Sequence, residues 1–242
     1  MPGVGRPPGA GPGRSADLKG VPLRPPLPWG LPAAVAEEIS SGVVDLAAVR
    51  MTEMNRFARW MVNRGAPRRA RRLLARLEGH LALPPGSAIL ELGAGRGALS
   101  ALLIERFRPR RAVVTDYDPR QVEAARAFLD SRPAGRPDGV ELRTADALEL
   151  PFEDRAFDAV FAIGMLHHVD SSPREYRRRP AALAEIRRVL APGGVLVYSD
   201  FSQVPELRRS LDGLGMVREY GCPGWFGREL AVYRRPIDAP RA

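Results

Sequence analysis

The sequence predicts an α/β fold in which a mostly parallel, seven-stranded sheet carries helices on both faces. From residue 88 onward, short apolar runs bounded by Gly or Pro alternate with longer amphipathic stretches, which is the pattern of repeated βα units. The last two apolar runs, residues 216–220 and 229–234, are separated by a Gly-rich turn. They predict an antiparallel hairpin at the C-terminal end of the sheet.

The residues before the first strand divide into two predicted segments. Residues 1–28 are rich in Pro and Gly, so we expect a disordered tail that buries too little apolar surface to fold. Residues 29–82 show helical periodicity, so we expect a helical cap ahead of the core at 83–242. The helical patterns of this cap cover residues 31–41, 43–64 and 67–81.

The helix predicted at 67–81 is basic as well as amphipathic. It carries five arginines beside Leu73, Leu74 and Leu77. These arginines are Arg68, Arg69, Arg71, Arg72 and Arg76. Such a face is either solvated or in contact with RNA, an anionic membrane or an acidic substrate, and the pattern leaves these interpretations open.

Glycines at alternate positions follow the first predicted strand, Ala88–Leu92. Gly93, Gly95 and Gly97 lie between this strand and a predicted helix at Ala98–Phe107. Because glycine has no Cβ atom, the backbone can bend sharply there, and a ligand can lie against the N–H groups of the helix N-terminus. The turn therefore predicts a nucleotide-binding site.

Two cofactor classes use such a turn. Gly93, Gly95 and Ala98 match the G-x-G-x-x-G/A pattern of dinucleotide-binding proteins. Glu91 and the three glycines match the E/D-x-G-x-G-x-G pattern of proteins that bind S-adenosylmethionine (SAM). The glycines alone leave both classes open.

A carboxylate follows the second predicted strand, at residues 112–115. Asp116 stands at the distance from Gly93 at which a βαβ unit brings its two strand ends together. A carboxylate in that place can accept hydrogen bonds from both ribose hydroxyls. Asp118 is expected to cap the following helix, because Pro119 stands at its first position.

The fourth predicted strand, Phe157–Ile163, is central, since it is apolar except at Asp158. It opens into His167 and His168, at the strand-end crevice where open α/β sheets bind ligands. The remaining predicted elements are the strand at 140–144 followed by Asp146, the helix at 181–190 stopped by Pro192, Gly193 and Gly194, the strand at 195–199 and the helix at 205–214.

Five stretches along the chain carry a family resemblance: residues 91–97, 113–119, 145–147, 157–169 and 190–194. In this order they resemble the class I SAM-dependent methyltransferases, in particular the small-molecule branch that includes the ubiquinone and menaquinone C-methyltransferases. The resemblance covers roughly residues 73–235. It implies a Rossmann-like, doubly wound sheet, SAM as the cofactor and methyl transfer as the activity.

The resemblance also implies which residues bind the cofactor. In this family the acid after the third strand bonds the adenine amino group and the next backbone unit meets the ring edge, which assigns these roles to Asp146 and Ala147. A capping aspartate is the alternative reading of Asp146. The full predicted set is Glu91, Gly93, Ala94, Gly95, Gly97, Asp116, Tyr117, Asp146, Ala147 and Ile163.

His168 and His167 are the candidates for a catalytic base. An imidazole titrates near neutral pH and can take a proton from a hydroxyl, an amine or an activated carbon. The family pattern Leu-x-His-Val corresponds to His168, which we therefore rank first. The alternative is that the histidine only hydrogen-bonds backbone near the cofactor and that solvent takes the proton.

Motifs of other enzyme classes are missing from the sequence. Residues 162–165 lack the Asn/Asp-Pro-Pro-aromatic motif that is associated with methylation of base amines. Base C5-methylation needs a nucleophilic cysteine, but Cys222 lies in a late turn. Metal-dependent O-methylation of catechols uses an acid cluster after the fourth strand, and the sequence has none there. Lys19 is the only lysine, so the Tyr-x-x-x-Lys pair of nicotinamide-dependent reductases is absent.

We therefore predict a small-molecule acceptor and no metal. Two alternatives stay open: a non-catalytic protein with the SAM-binding fold, and a methyltransferase that acts on RNA or protein. The acceptor atom, whether C, N or O, and the oligomeric state are also left open by the sequence.

Composition bounds the partners and the compartment. The net charge of +9 comes almost entirely from arginines spread along the chain, so we predict no specific nucleic-acid partner. The single cysteine fits a reducing compartment. Neither a membrane-spanning run nor the apolar region of a signal peptide is visible, and we expect a cytoplasmic protein.

Overall fold

The computed structural model describes residues 66–170, 176–201, 203–223 and 228–237. These residues belong to one compact unit. The predicted tail and the predicted helices at 31–41 and 43–64 lie outside the described residues. The strands are β1 (Ala88–Leu92), β2 (Arg111–Asp116), β3 (Val140–Thr144), β4 (Phe157–Ile163), β5 (Leu190–Asp200), β6 (Val217–Pro223) and β7 (Glu229–Arg234).

The strands form a single seven-stranded sheet in the order β3-β2-β1-β4-β5-β7-β6. The pairs among β1 to β5 are parallel, and β7 is antiparallel to both β5 and β6. After β3 the chain returns to the other side of β1, so the strand order reverses between β1 and β4. In open α/β sheets the crevice at such a reversal is where ligands bind.

Helices cover both faces of the sheet. They are α1 (Ala66–Leu77), α2 (Ala98–Phe107), α3 (Pro119–Asp130), α4 (Arg179–Val189) and α5 (Val204–Gly213). Leu90 packs in one core cluster with α4 and α5, whereas Ile89 packs in another with α1 and α2, because successive strand residues point to opposite faces. Within the described ranges, every helix is too short or too polar to cross a bilayer.

The predicted fold class is confirmed, with a mostly parallel sheet and an antiparallel C-terminal pair. The main difference concerns β5, which was expected only at 195–199 but begins at Leu190. Gly193 and Gly194, which were expected only to end the preceding helix, are part of the strand because they pair with Arg235. Gly193 N donates to Arg235 O at 2.9 Å, and Arg235 N donates to Gly194 O at 2.8 Å.

Glu91 is a buried acid inside β1, with 4% of its surface exposed. Its Oε2 accepts a hydrogen bond of 2.5 Å from Ser100 Oγ of α2. Burial raises the pKa of the Glu91 carboxyl to about 8, against the opposing effect of the Ser100 hydrogen bond and with a further contribution from the negative charge of Asp116. A carboxyl that is mostly neutral at pH 7 therefore joins β1 to α2.

The raised pKa of Glu91 predicts a stability that depends on pH. The unfolded chain releases this proton near the ordinary value of 4.5, whereas the folded chain keeps it up to about pH 8. The free energy of unfolding should therefore fall as pH rises between these values, by at most about 1.4 kcal/mol per pH unit. Urea unfolding across this pH range measures the slope.

Glu91→Gln keeps the shape of the side chain and removes the titration, so it should flatten the slope. Glu153→Gln, which changes an exposed side chain, is the matched control and should leave the slope unchanged. Equal slopes for the wild type and Glu91→Gln would contradict the assignment.

Candidate functional site

The glycine turn after β1 has the backbone that its sequence predicts. Gly93, Gly95 and Gly97 have φ values of 68°, 56° and 75°, a region that favours glycine over residues with side chains. A Cβ atom on Gly93 would lie 2.5 Å from Cβ of Met165, in the loop after β4. At the strand reversal, the backbone of the turn after β1 therefore lies against a side chain of the loop after β4.

Asp116, the last residue of β2, fixes this turn. Its Oδ2 accepts a hydrogen bond from Gly95 N at 2.9 Å, and its Oδ1 accepts one from Asp118 N at 2.9 Å. Ala94 N donates to Thr115 O at 2.9 Å, so the turn is tied to β2 at two successive residues. Burial raises the pKa of the Asp116 carboxyl, although the hydrogen bonds from Asp118 and Gly95 oppose the rise.

The Asp116 carboxylate keeps acceptor capacity for a ligand, since two oxygens offer about four lone-pair sites and these contacts use two of them. Asp118 plays the separate role that the sequence predicts. Its Oδ1 accepts from Arg120 N at 2.9 Å and caps α3, and Pro119 stands at the first helical position.

The other predicted cofactor residues occupy the same carboxyl edge of the sheet. Asp146 follows β3, next to β2, and its Oδ1 accepts from Leu148 N at 2.9 Å. This contact closes a turn across residues 146–149 and does not cap a helix, and it uses one of the two oxygens. Ala147 is buried, Tyr117 is 63% exposed beside Asp116, and Ile163 is half-buried at the end of β4.

Glu91 differs from the rest of the predicted set. Its carboxyl is buried against Ser100 under the glycine turn, so its described contact is with the protein and supports the turn from below.

The two histidines lie in a short 3-10 helix, Leu166–His168, directly after β4. His167 is 5% exposed, and its Nδ1 lies 3.0 Å from Oδ1 of Asp200, the last residue of β5. His167 N also donates to Asp200 Oδ2 at 3.1 Å. Burial alone would raise the pKa of the Asp200 carboxyl, but its hydrogen bonds with the imidazole and with backbone N–H groups hold that pKa below its ordinary value.

His168 is half-buried and its ring contacts that of His167 at a tilt of 39°, with centroids 4.0 Å apart. The ring of Phe201 contacts His167 from another direction, with centroids 4.3 Å apart. Asp200 and Phe201 were missed at the level of sequence. The available signal for Asp200 was a carboxylate at the carboxyl end of a strand, two positions beyond the apolar run of β5. This strand is the neighbour of β4, where the strand order reverses.

At the strand reversal the side chain of Met165 fills the space beside Gly93, and the half-buried Asp116 offers an acceptor one strand away. Among the residues that the structure describes, no three His, Cys, Asp or Glu side chains converge closely enough to hold a metal ion.

Comparison with known proteins agrees with this geometry. Residues 90–198 match the family model described as a methyltransferase domain. The chain is 40% identical over 121 residues to a demethylmenaquinone methyltransferase of Thermus thermophilus, covering 49% of each chain. It is 33% identical over 150 residues to the 27-O-demethylrifamycin SV methyltransferase of Amycolatopsis mediterranei, covering 62% of this chain and 52% of the relative.

A third relative is a mouse protein named as a probable tRNA methyltransferase 9B, 33% identical over 125 residues, which are 52% of this chain and 24% of the relative. The chain thus spans about half or less of the length of these curated relatives.

Solved structures share the fold. A methyltransferase in complex with the Haloferax volcanii Trm112 activator aligns with a TM-score of 0.61 at 18% identity, covering 76% of this chain and 99% of that one. The [4+2]-cyclase SpnF aligns with a TM-score of 0.59 at 19% identity, over 70% and 82% of the two chains. Residues 90–198 thus match a methyltransferase domain, and the sheet order and the glycine turn agree with that match.

Proposed function

We propose that this protein transfers a methyl group from SAM to a small-molecule acceptor without a metal. The observation that carries the proposal is that a turn held by Asp116 and an imidazole held by Asp200 lie at the ends of neighbouring strands on one edge of the sheet. The names of two relatives, which act on a demethylmenaquinone and a demethylated rifamycin, support a small acceptor.

SAM, when bound, supplies an electrophilic methyl group on a positively charged sulfur. The protein's share is to bind, to orient and to accept a proton. Asp116 would accept hydrogen bonds from the ribose hydroxyls, and the free oxygen of Asp146 would receive the adenine amino group. The backbone of the turn at Gly93, Ala94 and Gly95 would line the path of the methionine part, while the N–H groups of Ala94 and Gly95 stay bonded to Thr115 and Asp116.

For the proton we favour His167 over His168, which the sequence alone ranked first. A carboxylate on one ring nitrogen orients an imidazole and stabilises the imidazolium that forms when the other nitrogen takes a proton. In the described residues Asp200 makes this contact with Nδ1 of His167. The acceptor would gain the methyl group and lose its proton to Nε2 of His167.

An RNA acceptor is the second candidate, because one relative is named for tRNA and because α1 exposes five arginines without an acid in its first turn. Formation of S-adenosylhomocysteine with a metabolite panel and with bulk tRNA separates the two candidates. Turnover with tRNA alone would overturn the small-molecule proposal.

The first variant that tests cofactor binding is Asp116→Asn. It turns one accepting oxygen into a donor that faces either Gly95 N or a ribose hydroxyl, and hydrogen bonds to charged groups contribute about 1.5 to 3 kcal/mol each. We expect SAM to bind at least about tenfold more weakly, which is about 1.4 kcal/mol, by calorimetry. Asp138→Asn, on an exposed loop, is the control. Unchanged affinity in a folded Asp116→Asn would refute the role of the carboxylate.

The pKa of Asp116 gives this binding a pH dependence. Because that pKa is raised, the carboxyl gains its proton at a higher pH than an ordinary aspartate, and a protonated carboxyl loses acceptor strength. We expect the affinity for SAM to decline on acidification before solvent-exposed aspartates titrate. Calorimetry over a series of acidic buffers measures this, and a decline that begins only below the ordinary value of 3.8 would contradict it.

A second set of variants tests the base. With the best acceptor of the panel, His167→Gln should lower kcat by about a hundredfold or more while SAM affinity stays nearly constant, since a general base contributes roughly 10² to 10⁴ in rate. His168→Gln should cost about tenfold or less. Raising the pH should partly restore the rate of His167→Gln, because hydroxide can take the proton. A larger loss in His168→Gln would return the role to His168.

A further inference from the structure

Arg228 places a positive charge beside the proposed proton acceptor. This residue directly precedes β7, and its guanidinium lies over the ring of Phe201, 5.2 Å from the centroid. The same ring contacts His167. A Cβ built on Gly164, the first residue after β4, would lie 4.0 Å from Nη1 of Arg228. The guanidinium therefore stands at the carboxyl ends of β4 and β5.

The neighbouring acids are already engaged. Oε1 of Glu229 accepts from Nη2 of Arg208 at 2.6 Å and from Nη2 of Arg218 at 2.5 Å, and Oε2 accepts from the hydroxyl of Tyr198. Asp200 is paired with His167. Within the described residues Arg228 makes an aromatic contact and no ion pair.

A second cation approaches from another element. Arg69 lies in the first turn of α1, and partial burial lowers the pKa of its guanidinium, with a further decrease from the positive charge of Arg228. Two like charges brought into each other's field destabilise the fold slightly, and an anion placed near both reverses that effect.

We propose that the methyl acceptor carries a carboxylate, and that Arg228 receives it beside His167. This inference rests on the proposed function, since it names the class of acceptor that the same site takes. A guanidinium that stacks on an aromatic ring still presents its planar edge, which matches the two oxygens of a carboxylate. The exposed parts of Phe201 and Met165 offer apolar contact to the body of such a molecule.

The other anion that could occupy this place is the carboxylate of SAM itself. The two cases differ in what the loss of Arg228 changes. If the acceptor is bound there, the affinity for a carboxylate probe falls and the affinity for SAM does not. If SAM is bound there, the affinity for SAM falls.

The experiment titrates benzoate and its neutral analogue benzamide into the full chain, with and without saturating S-adenosylhomocysteine. The Nε–Hε signals of the arginine side chains in nuclear magnetic resonance spectra report binding. We expect benzoate to shift the Arg228 signal and to bind at least about tenfold more tightly than benzamide. Arg228→Gln should weaken benzoate at least about tenfold and leave the affinity for SAM within about twofold.

Arg143→Gln is the matched control. Arg143 is also an exposed arginine over a phenylalanine ring, 5.2 Å from the centroid of Phe152, but it lies on β3 on the other side of the sheet order. It should leave both affinities unchanged.

Three results would overturn the proposal: no shift of the Arg228 signal by benzoate, equal benzoate affinity in the wild type and Arg228→Gln, or a tenfold loss of SAM affinity in Arg228→Gln. Failure of the proposed function would look different. A wild type that binds no SAM refutes methyl transfer, while the titration without S-adenosylhomocysteine still reports on the anion site.

Discussion

The hydrogen bond from Gly95 N to the Asp116 carboxylate is the contact on which the site depends. It joins the turn after β1 to the end of β2, so two strands that are neighbours in the sheet also share one edge of the candidate site. A turn with three glycines has little intrinsic preference for one shape, and each glycine gives up more freedom on folding than any other residue. The Asp116 carboxylate, which lies outside the turn, fixes the shape of the turn through its hydrogen bond to Gly95.

Three carboxyls near this edge show how surroundings separate chemically similar groups. Glu91 and Asp116 have raised pKa values because burial dominates their surroundings, whereas Asp200 has a lowered one because an imidazole and backbone N–H groups compensate for its burial. Carboxyls whose pKa values are shifted in opposite directions within one site take different roles. Glu91 acts as a neutral support, and Asp200 acts as a fixed negative charge beside a ring that can become positive.

The sequence was sufficient for what depends on local pattern. The limits of β1, β3, β4 and β7 and the cap at Asp118 follow from apolar runs, turn residues and the position of Pro119. The sequence pattern was insufficient where hydrogen bonds to backbone far along the chain determine the secondary structure. Gly193, for example, stays in β5 because Arg235 pairs with it. Arg228 was missed for the same reason, since only the return of β7 alongside β5 brings it to Phe201, whereas Asp200 was missed because its partner His167 comes from the loop after β4. The assignment of cofactor and base residues remains a prediction.

The close approach of Gly93 to Met165 has a consequence for how such a protein can change. The turn that would hold the cofactor and the loop that would face the acceptor touch at this point, with no room for a methyl group on Gly93. A lineage that explores new acceptors by enlarging or reshaping residue 165 also pushes on the cofactor turn. Under the proposed function, substrate range and cofactor affinity would change together at this position, so a laboratory library that aims to alter only the first should spare Met165 and vary the residues around Phe201 instead.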